Sequence, residues 1–437
     1  MRRMCPHDGG AGCLRPAGQV VYRVGQDAEP VHGYNLLDVC EQVLVAGRAL
    51  ERREQGQPRQ WCCCERWLSD AAGQGERFVG RAAQRRPLAS EQLREWHLAR
   101  QHLRFVVLEA GPEPGHTWRS RWDSLTLFTP AQYAALPGMP FPGPPDTYPA
   151  KELVAGYLNA YAAEFNLPVR LNTRVAALIR TAEGFEARTD DGVFRARQAV
   201  VATGPFQVPY VPPAAQRLDG SVTQLHSAGY RNPRTLPPGP VLVVGGGNSG
   251  FQIAGELAAT RQVDLSIATK APVLPQRLAG KDLFWWLTRL GLMRVTAGSR
   301  LGRRLRARPD FIIGSSRRRL RAAGVRFRPA VADVEGRTVR FADGSSLDAG
   351  IVIWTTGYRS DYSWIHIPGV TRGGQVAHRR GVTDVPGLYF LGLPWQHSRG
   401  SALLGFVHED AAYLAGRITN RAPARQPAGR PASQQPG

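Results

Sequence analysis

A glycine-rich segment at residues 245–250 carries the clearest chemical signal in the sequence. The apolar run at residues 241–244 leads into Gly-x-Gly-x-x-Gly, and a helical pattern follows. Strand, turn and helix in this order are typical of a dinucleotide-binding loop, although a glycine turn without a ligand is the alternative. The glycines allow the tight turn, the approach of a pyrophosphate and close helix packing, and the helix N-terminus offers N–H groups. We expect the dinucleotide to contact Gly245, Gly247, Asn248, Ser249 and Gly250.

The strand that follows this loop indicates which dinucleotide binds. NAD sites place an acid about 20 residues beyond the loop, where it bonds the ribose 2′-hydroxyl. Here the strand tip reads Ala-Thr269-Lys270, and Asp264 lies too early in the strand to reach the ribose. Lys270, helped by Thr269 or Arg261, suits a 2′-phosphate, so we predict NADPH. The alternative is that Lys270 is an ordinary solvated lysine.

A second nucleotide-binding unit is indicated around Glu109, but its first strand and its glycine loop are missing. Phe105–Glu109 resembles the second strand of such a unit, with Glu109 placed to bond a ribose. A glycine fingerprint should stand roughly 20–25 residues upstream of the acid. No glycine occurs between Gly80 and Gly111, so the acid lacks its phosphate loop.

Residues 1–94 have a different character from the rest of the chain. They hold all six cysteines and show no sustained helical or strand period. Our hypothesis is that this part is translated largely out of frame, because the interpretable pattern begins where the expected loop is lost. The alternative is a divergent N-terminal domain. We also expect the tail, residues 419–437, to be disordered because it is rich in Pro, Arg and Gln.

Composition excludes several classes of protein. The net charge is +21, but only three of the 56 basic residues are lysines, which suggests a codon bias more than a nucleic-acid partner, and no nucleic-acid motif is present. No apolar run reaches the roughly 18–20 residues of a membrane span, and no secretory signal follows the first methionine. Because no secretory signal is present, we predict a cytoplasmic location. The cysteines lack the Cys-x-x-Cys spacing of zinc and redox sites, so we predict no metal site.

The pattern of the remaining chain predicts an α/β fold with parallel sheets. Short apolar runs, typical of strands covered on both faces, alternate with helical patterns. The predicted strands lie at residues 105–109, 199–202, 241–244, 263–268 and 351–354, and the clearest helices at residues 151–165 and 250–260.

Several further motifs agree with one family in type and order. They are Gly115-His-Thr-Trp-Arg119, Val200-Val-Ala-Thr-Gly-Pro205, Thr355-Thr-Gly-Tyr358, Gly387-Leu-Tyr-Phe-Leu-Gly392 and Ser401-Ala-Leu-Leu-Gly405, which would open the last helix. From about residue 95 to 418, the chain resembles the flavin-containing monooxygenase superfamily. It is most similar to the bacterial CzcO-like branch and to the plant YUCCA-type enzymes.

The resemblance implies two Rossmann-like domains, in which an NADPH domain (208–360) is inserted into an FAD domain (95–207 and 361–418). It implies FAD and NADPH as cofactors, and oxygenation of a small organic substrate by a C4a-(hydro)peroxyflavin formed with O₂. Whether the substrate is an N or S nucleophile or a carbonyl stays open. The residues implied at the cofactors are Glu109, Trp118, Arg119, Thr203, Gly204, Thr356, Gly357 and Gly392.

Two departures from the family limit what can be transferred. The family's Phe-x-Gly-x-x-x-His-x-x-x-(Tyr/Phe) motif is represented by Leu218-x-Gly220, then His226 two residues late, then Tyr230. We take His226 and Tyr230 as the catalytic candidates, although His226 could equally be a structural histidine. Tyr230, where Baeyer–Villiger enzymes carry Trp, argues against that reaction. Residues 125–129 also lack the active-site Asn of the animal-type enzymes.

An apolar, aromatic stretch at residues 282–293 precedes the arginine-rich residues 300–328. It could line a substrate entrance or lie on a membrane surface, but we favour a core helix beside a solvated basic helix. A homo-oligomer is possible.

Two competing functions remain beside the monooxygenase. A disulfide-type flavin reductase needs a redox cysteine pair, and residues 65–437 contain no Cys. An NADP-binding regulatory or ion-transport-associated protein, without catalysis because the FAD site is incomplete, is the second alternative.

Overall fold

Two large β-sheets dominate the part of the chain that the computed structural model describes, residues 42–46 and 103–421. Of residues 42–46 only the strand itself is described. The strands of these sheets, in chain order, are β1 (Gln42–Ala46), β2 (Phe105–Glu109), β3 (Val169–Arg170), β4 (Gln198–Ala202), β5 (Thr223–His226), β6 (Val241–Val244), β7 (Val263–Ser266), β8 (Arg326–Arg328), β9 (Ile351–Trp354), β10 (His378–Arg379), β11 (Val382–Thr383) and β12 (Leu388–Phe390). The other predictions for residues 1–94, and that for the tail beyond residue 421, lie outside the described residues.

Helices and smaller sheets complete the described fold. The α-helices are α1 (His116–Arg119), α2 (Lys151–Glu164), α3 (Asn248–Leu257), α4 (Leu283–Arg289), α5 (Arg300–Arg306), α6 (Arg317–Ala322) and α7 (His408–Arg421). A four-stranded sheet contains Val175–Arg180, Phe185–Thr189, Gly192–Ala196 and Ile365–His366, and a three-stranded sheet contains Val331–Glu335, Thr338–Phe341 and Ser346–Asp348. The short strand pairs are Val208–Pro209 with Tyr358–Arg359, Val273–Leu274 with Ile312–Ile313, Arg277–Leu278 with Lys281–Asp282, and Thr371–Arg372 with Gln375–Val376. Within the described chain, no helix is both long and apolar enough to cross a membrane.

The five-stranded sheet is parallel throughout, in the order β8-β7-β6-β9-β5. Every residue of β6, β7 and β9 is buried, which is why these strands consist of nearly continuous apolar residues. The predictions of a parallel, doubly covered sheet and of these strands are confirmed. β7 ends at Ser266, two residues before the predicted end, because Ser266 pairs with the last residues of both neighbouring strands, Val244 and Arg328.

The seven-stranded sheet has the order β10-β11-β12-β4-β1-β2-β3. The predicted strand Phe105–Glu109 is confirmed as β2. Our expectation that this unit lacks its first strand and its glycine loop stays a prediction, although β1 lies between β2 and β4. However, β1 runs antiparallel to both neighbours, and its last residue, Ala46, pairs with Phe105. The chain therefore leaves β1 beside Phe105, at the other end of β2 from Glu109.

The two sheets are built from different parts of the chain. All strands of the five-stranded sheet come from residues 223–354, whereas the seven-stranded sheet uses residues before 203 and after 377. This order is what the predicted insertion of one nucleotide domain into the other requires. The domain boundaries themselves stay a prediction.

Candidate functional site

The glycine loop lies where the strand order of the five-stranded sheet reverses, between β7 on one side of β6 and β9 on the other. Gly245 has φ 131°, a left-handed conformation that side chains rarely adopt. A Cβ at Gly250 would overlap the carbonyl oxygen of Gly245 and stand 2.8 Å from the hydroxyl of Thr355. The predicted tight turn and close helix packing are therefore confirmed. A switch point of this kind is where open α/β sheets bind ligands.

Helix α3 begins within this glycine-rich segment, at Asn248, with Gly247 as its N-cap and no side chain capping it. Its first residue, Asn248, is buried and uses its side chain within the protein. The amide nitrogen donates to the carbonyl of Phe311 at 3.0 Å, and the amide oxygen accepts from the N–H of Ile313 at 2.8 Å. A phosphate contact from Asn248 would therefore come from its backbone N–H.

The tip of β7 agrees with the expected choice of NADPH. Thr269 and Lys270 are exposed beyond the strand. Asp264 is buried, and its carboxylate is bound by the guanidinium groups of Arg326 and Arg328, with Arg328 Nε at 2.8 Å from Oδ1. This carboxylate is committed to holding β7 against β8, so the expectation that it does not serve a ribose is confirmed.

Arg261 does not assist Lys270, and our prediction that it does so is wrong. It precedes β7, whereas Lys270 follows it, so the two lie at opposite ends of the strand. The guanidinium of Arg261 donates to the carbonyls of Pro233, Leu236 and Pro237. It stabilises the segment that leads into β6.

Glu109 stands at the end of β2, where a ribose-binding acid belongs. It is only 3% exposed, and its Oε1 accepts from the backbone N–H of Gly111 at 2.8 Å. Its backbone carbonyl accepts from the N–H of Thr173 at 2.8 Å. These contacts fix the carboxylate at the edge of the sheet. Contact with a nucleotide stays a prediction.

The predicted flavin segment at residues 115–119 contains one buried and one more exposed candidate residue. Trp118 of α1 is 1% exposed, and its indole Nε1, like that of Trp122, is buried without a hydrogen-bond partner among the described residues. Buried donors of this kind normally have partners, so they mark a place where a polar group fits. Arg119, by contrast, forms ion pairs with Glu113 and Glu152 near the surface. Its predicted contact with a cofactor would compete with both carboxylates.

Two linkers join the sheets, the first at residues 203–210 and the second at residues 355–361, and they are bound to each other. Gln207 donates to the hydroxyl of Thr203 at 2.9 Å and to the carbonyl of Gly204 at 2.8 Å. Its amide oxygen accepts from the N–H of Asp361 at 2.8 Å. Gln207 was missed at the level of sequence because no motif includes it, and only the structure brings residues 203–207 against residue 361.

A second set of contacts reinforces this junction. The strands Val208–Pro209 and Tyr358–Arg359 pair antiparallel. The hydroxyl of Thr356 donates to the carbonyl of Tyr210, and Gly357 adopts φ 82°. The side chain of Thr356 therefore serves the linker, and any contact with a cofactor would be additional.

His226, a predicted catalytic residue, ends β5 and binds the second linker. Its Nδ1 accepts from the N–H of Ala228 at 3.1 Å, so Nε2 carries the proton and donates to the carbonyl of Gly357 at 2.9 Å. Burial, and secondarily the positive charge of Arg121, lower the pKa of His226 to about 4. The ring is therefore neutral at pH 7 and both nitrogens are used. This arrangement favours a positioning role over the catalytic role that we predicted.

Tyr230, the other predicted catalytic residue, is a core residue. It is fully buried, and its hydroxyl donates to Glu256 at 2.9 Å. Burial and this carboxylate raise the pKa of Tyr230 far above its ordinary value. This arrangement favours a structural role, because the hydroxyl is buried and its hydrogen bond to Glu256 is already formed, and the catalytic role stays a prediction.

The turns after β12 form the predicted flavin-contacting segment. Gly392 has φ 81°, and Trp395 also has a positive φ, 55°. A Cβ at Gly405 would overlap the carbonyl oxygen of Tyr133, so this turn packs directly on the segment that precedes α2. Our prediction that residues 401–405 open the last helix is wrong, since they form turns and α7 begins at His408.

An ion pair that sequence analysis missed joins this segment to the nucleotide loop. Arg399 donates to Asp310 at 2.6 Å, and Asp310 immediately precedes the backbone that Asn248 holds. Burial raises the pKa of Asp310, against the effect of Arg399. The two residues lie 89 positions apart, and neither belongs to a motif, so no sequence signal pairs them.

A cavity of about 290 Å³ lies where these segments meet. Its walls come from the first linker, the second linker, residues 375–378 and the turn after β12. Phe206, Tyr358 and Trp395 contribute aromatic surface, and Arg306 contributes a positive charge. Such a mixture of apolar walls and few polar groups is typical of a small-molecule site.

Comparison with known proteins agrees with this geometry. The family described as "Pyridine nucleotide-disulphide oxidoreductase" matches residues 96–277. A CzcO-like oxidoreductase of Geobacillus kaustophilus is 46% identical over 327 residues, which are 74% of this chain and 94% of that protein. The indole-3-pyruvate monooxygenase YUCCA1 of Oryza sativa is 29% identical, over 71% of this chain and 82% of its own.

Solved structures extend the comparison. A double mutant of a flavin monooxygenase from Stenotrophomonas maltophilia is 30% identical. The match covers 74% of this chain and 93% of that one, with a TM-score of 0.61. A bacillithiol disulfide reductase from Staphylococcus aureus is only 14% identical at a TM-score of 0.52, so it shares the fold alone. The chain therefore belongs to the flavin-containing monooxygenase superfamily, among the CzcO-like oxidoreductases.

Proposed function

We propose that the chain is an NADPH-dependent flavin monooxygenase that transfers one oxygen atom of O₂ to a small organic substrate. Membership of the family supports an oxidoreductase that uses FAD and NADPH. The transfer of oxygen to a small organic substrate is what we propose in addition. The observation that carries it is the glycine loop at the switch point of a parallel sheet, followed by a strand tip that ends in Lys270 instead of an acid.

The described residues fit NADPH. The space beside Gly245 and Gly250 is closed to a side chain, so only glycine fits this tight turn, and the uncapped N-terminus of α3 that follows it offers N–H groups to a pyrophosphate. Lys270 offers an exposed positive end to the 2′-phosphate. These residues bind and orient the dinucleotide, and Asn248 fixes the loop through its amide.

The described residues fit FAD in part. In this proposal Glu109, at the end of β2, would bond the ribose, and Trp118 and the turn at Gly392 would contact the flavin end. The direction of β1, however, takes the chain away from Glu109, so the described residues supply no phosphate loop for FAD. When bound, FAD supplies the redox chemistry by accepting a hydride from NADPH and activating O₂.

We assign the substrate to the 290 Å³ cavity between the linkers. Its aromatic walls suit an apolar body, and the described residues that line it include one arginine and no carboxylate, which favours a neutral or anionic molecule over a cation. Gln207 and His226 would hold the linkers in place around the substrate.

A second candidate function follows from the direction of β1. If the FAD phosphate loop is absent from the folded chain, the protein would bind NADP without flavin and would serve as a regulatory protein. A disulfide-type reductase is disfavoured, because residues 65–437 contain no cysteine.

One experiment separates these candidates. The full chain is purified, its visible spectrum is recorded with and without added FAD, and NADPH oxidation is followed with NADH as the matched control. A flavin spectrum with oxidation that prefers NADPH supports the monooxygenase family function. A colourless protein that binds NADP⁺ and oxidises neither dinucleotide would instead support the regulatory candidate.

A further inference from the structure

Helix α4 has one buried face and one exposed face. Leu283 and Phe284 are buried, and the ring of Phe284 stacks on Phe128 with centroids 5.9 Å apart. The expectation of a core helix is confirmed for this face. On the other side Trp285 and Trp286 are only half-buried, and Leu290, directly after the helix, is 65% exposed.

The exposed apolar residues form one continuous surface, which we call the tryptophan patch (Leu278, Trp285, Trp286 and Leu290). The indole N–H of Trp286 donates to the carbonyl of Leu278 at 3.0 Å, and Leu290 lies one helical turn beyond Trp286. Leu290 and Leu278, at 65% and 55%, are the most exposed large apolar side chains among the described residues. Their closeness distinguishes the patch from the scattered apolar side chains of ordinary surfaces.

The patch has a positive rim. Residues 277–308 contain nine arginines and lysines and a single acid, Asp282. Asp282 is buried and accepts from the hydroxyl of Tyr148 at 2.6 Å and from the N–H of Phe284 at 2.6 Å. Lys281 lies over the ring of Trp285 at 5.7 Å and, like Arg289, is exposed. The one acid of this segment is therefore engaged inside the protein, and among the cations Arg294 pairs with Glu409 at 3.6 Å.

We propose that the tryptophan patch binds the surface of an anionic lipid membrane. Tryptophan and leucine side chains enter the boundary between headgroups and acyl chains, while surrounding lysines and arginines contact anionic headgroups. The charge favours this occupant over a second copy of the chain, because a symmetric dimer through the patch would bring the same cations together.

Residues near Leu290 in the sequence also line a cavity. This cavity, of about 230 Å³, is lined by Thr288 and Met293 and by Gly405 and Phe406 of the turns after β12. The membrane proposal does not depend on the reaction that the chain performs.

Flotation with lipid vesicles tests the proposal. The purified full chain is mixed with vesicles of phosphatidylcholine alone, or of phosphatidylcholine with phosphatidylglycerol, at low and at high salt. We expect flotation with the anionic vesicles, weakened but not abolished by salt. Leu290→Glu should lower the bound fraction about tenfold, since it removes apolar burial and adds a negative charge. The matched control is Leu153→Glu, on the exposed side of α2 at 42% exposure, which should bind like the wild type.

The outcomes either support or overturn the proposal. Both leucines are exposed, so we expect each variant to be folded. Circular dichroism and the unfolding temperature check this. A wild type that does not float with anionic vesicles at low salt would overturn it. Equal flotation of the Leu290→Glu and wild-type proteins would also overturn it. The same holds for a wild-type dimer that becomes a monomer in the Leu290→Glu variant while lipid has no effect on either protein.

Discussion

Arg399 donates to Asp310 at 2.6 Å, and this pair ties the turn after β12 to the backbone that the nucleotide loop holds. The other carboxylate oxygen, Oδ2, and the Nη1 of Arg399 are buried without a hydrogen-bond partner among the described residues. The pair therefore lies in a place where water does not compete for it. Because the flavin segment and the NADPH loop must be held at a fixed separation for hydride transfer, we infer that the pair positions one against the other.

Breaking this pair should destabilise the protein strongly. Asp310→Asn removes the negative charge that faces the guanidinium of Arg399, and loss of one charge of a buried ion pair costs about 3–5 kcal/mol of the free energy of unfolding. Urea unfolding measures the loss. The matched control is Glu335→Gln, which breaks the exposed contact with Arg340 and should cost less than about 1 kcal/mol. Equal losses for the two variants would contradict the inference.

The glycine loop gives a sharper prediction about binding. In Gly250→Ala the new Cβ would overlap the carbonyl oxygen of Gly245, so the loop must open and the affinity for NADP⁺ should fall about tenfold or more. Isothermal titration measures that affinity. Gly350→Ala is the control, because a Cβ there meets nothing within 4 Å. If the Gly250→Ala protein binds NADP⁺ as tightly as the control, the loop is not the nucleotide site.

Lys270 and Asp264 should have separable effects. Lys270→Ala should weaken NADP⁺ binding about tenfold and leave NAD⁺ binding unchanged, because only NADP⁺ carries the 2′-phosphate. Lys281→Ala removes the same charge elsewhere and should change neither affinity. Asp264→Asn should instead lower the free energy of unfolding, since Arg326 and Arg328 lose their partner, without improving NADP⁺ relative to NAD⁺.

Those affinities also decide the role of the acid. An Asp264→Asn protein that selectively loses NAD⁺ binding would show that this carboxylate faces the ribose. That result would contradict the ion pairs in the structure.

His226 predicts a pH dependence of stability. Its pKa is about 4 in the folded protein against 6.5 for a free side chain, because burial disfavours the charged ring. The unfolded chain therefore binds more protons between those values, and stability is full above about pH 6.5 and falls as the pH drops toward 4. The loss from this residue is about 2 kcal/mol at about pH 5.

The variant His226→Gln separates this contribution from that of the other titrating groups. Glutamine is neutral and can still donate to the carbonyl of Gly357. Urea unfolding at about pH 7.5 and about pH 5 should show a smaller loss for the variant than for the wild type. The same loss in both proteins would mean that His226 is protonated in the folded state.

The sequence predicts the parallel sheet and the nucleotide loop well, because both depend on local patterns. The run before Gly245 is apolar since both faces of β6 are covered, and the glycines are required by the tight turn and by the close approach of α3 to it. The strand at Glu109 is predicted for the same reason. The backbone structure of the site is thus predicted from local sequence patterns.

The roles of individual side chains are harder to predict, because they depend on distant partners. Tyr230 fits a family motif, yet its hydroxyl is used by Glu256, which only the packing of α3 brings near it. Arg261 has the right charge but lies at the wrong end of β7. Asp310 and Arg399 meet through the folding of two segments that share no pattern.

The most direct test of the central claim is the reduction of bound flavin by NADPH. The full chain is loaded with FAD and kept free of oxygen, and the visible absorbance of the flavin is followed after NADPH or NADH is added. The account predicts that NADPH bleaches the flavin much faster than NADH, that Gly250→Ala slows the reaction, and that air restores the absorbance. Bound flavin that neither dinucleotide reduces, or a chain that binds NADP⁺ but takes up no FAD, would contradict it.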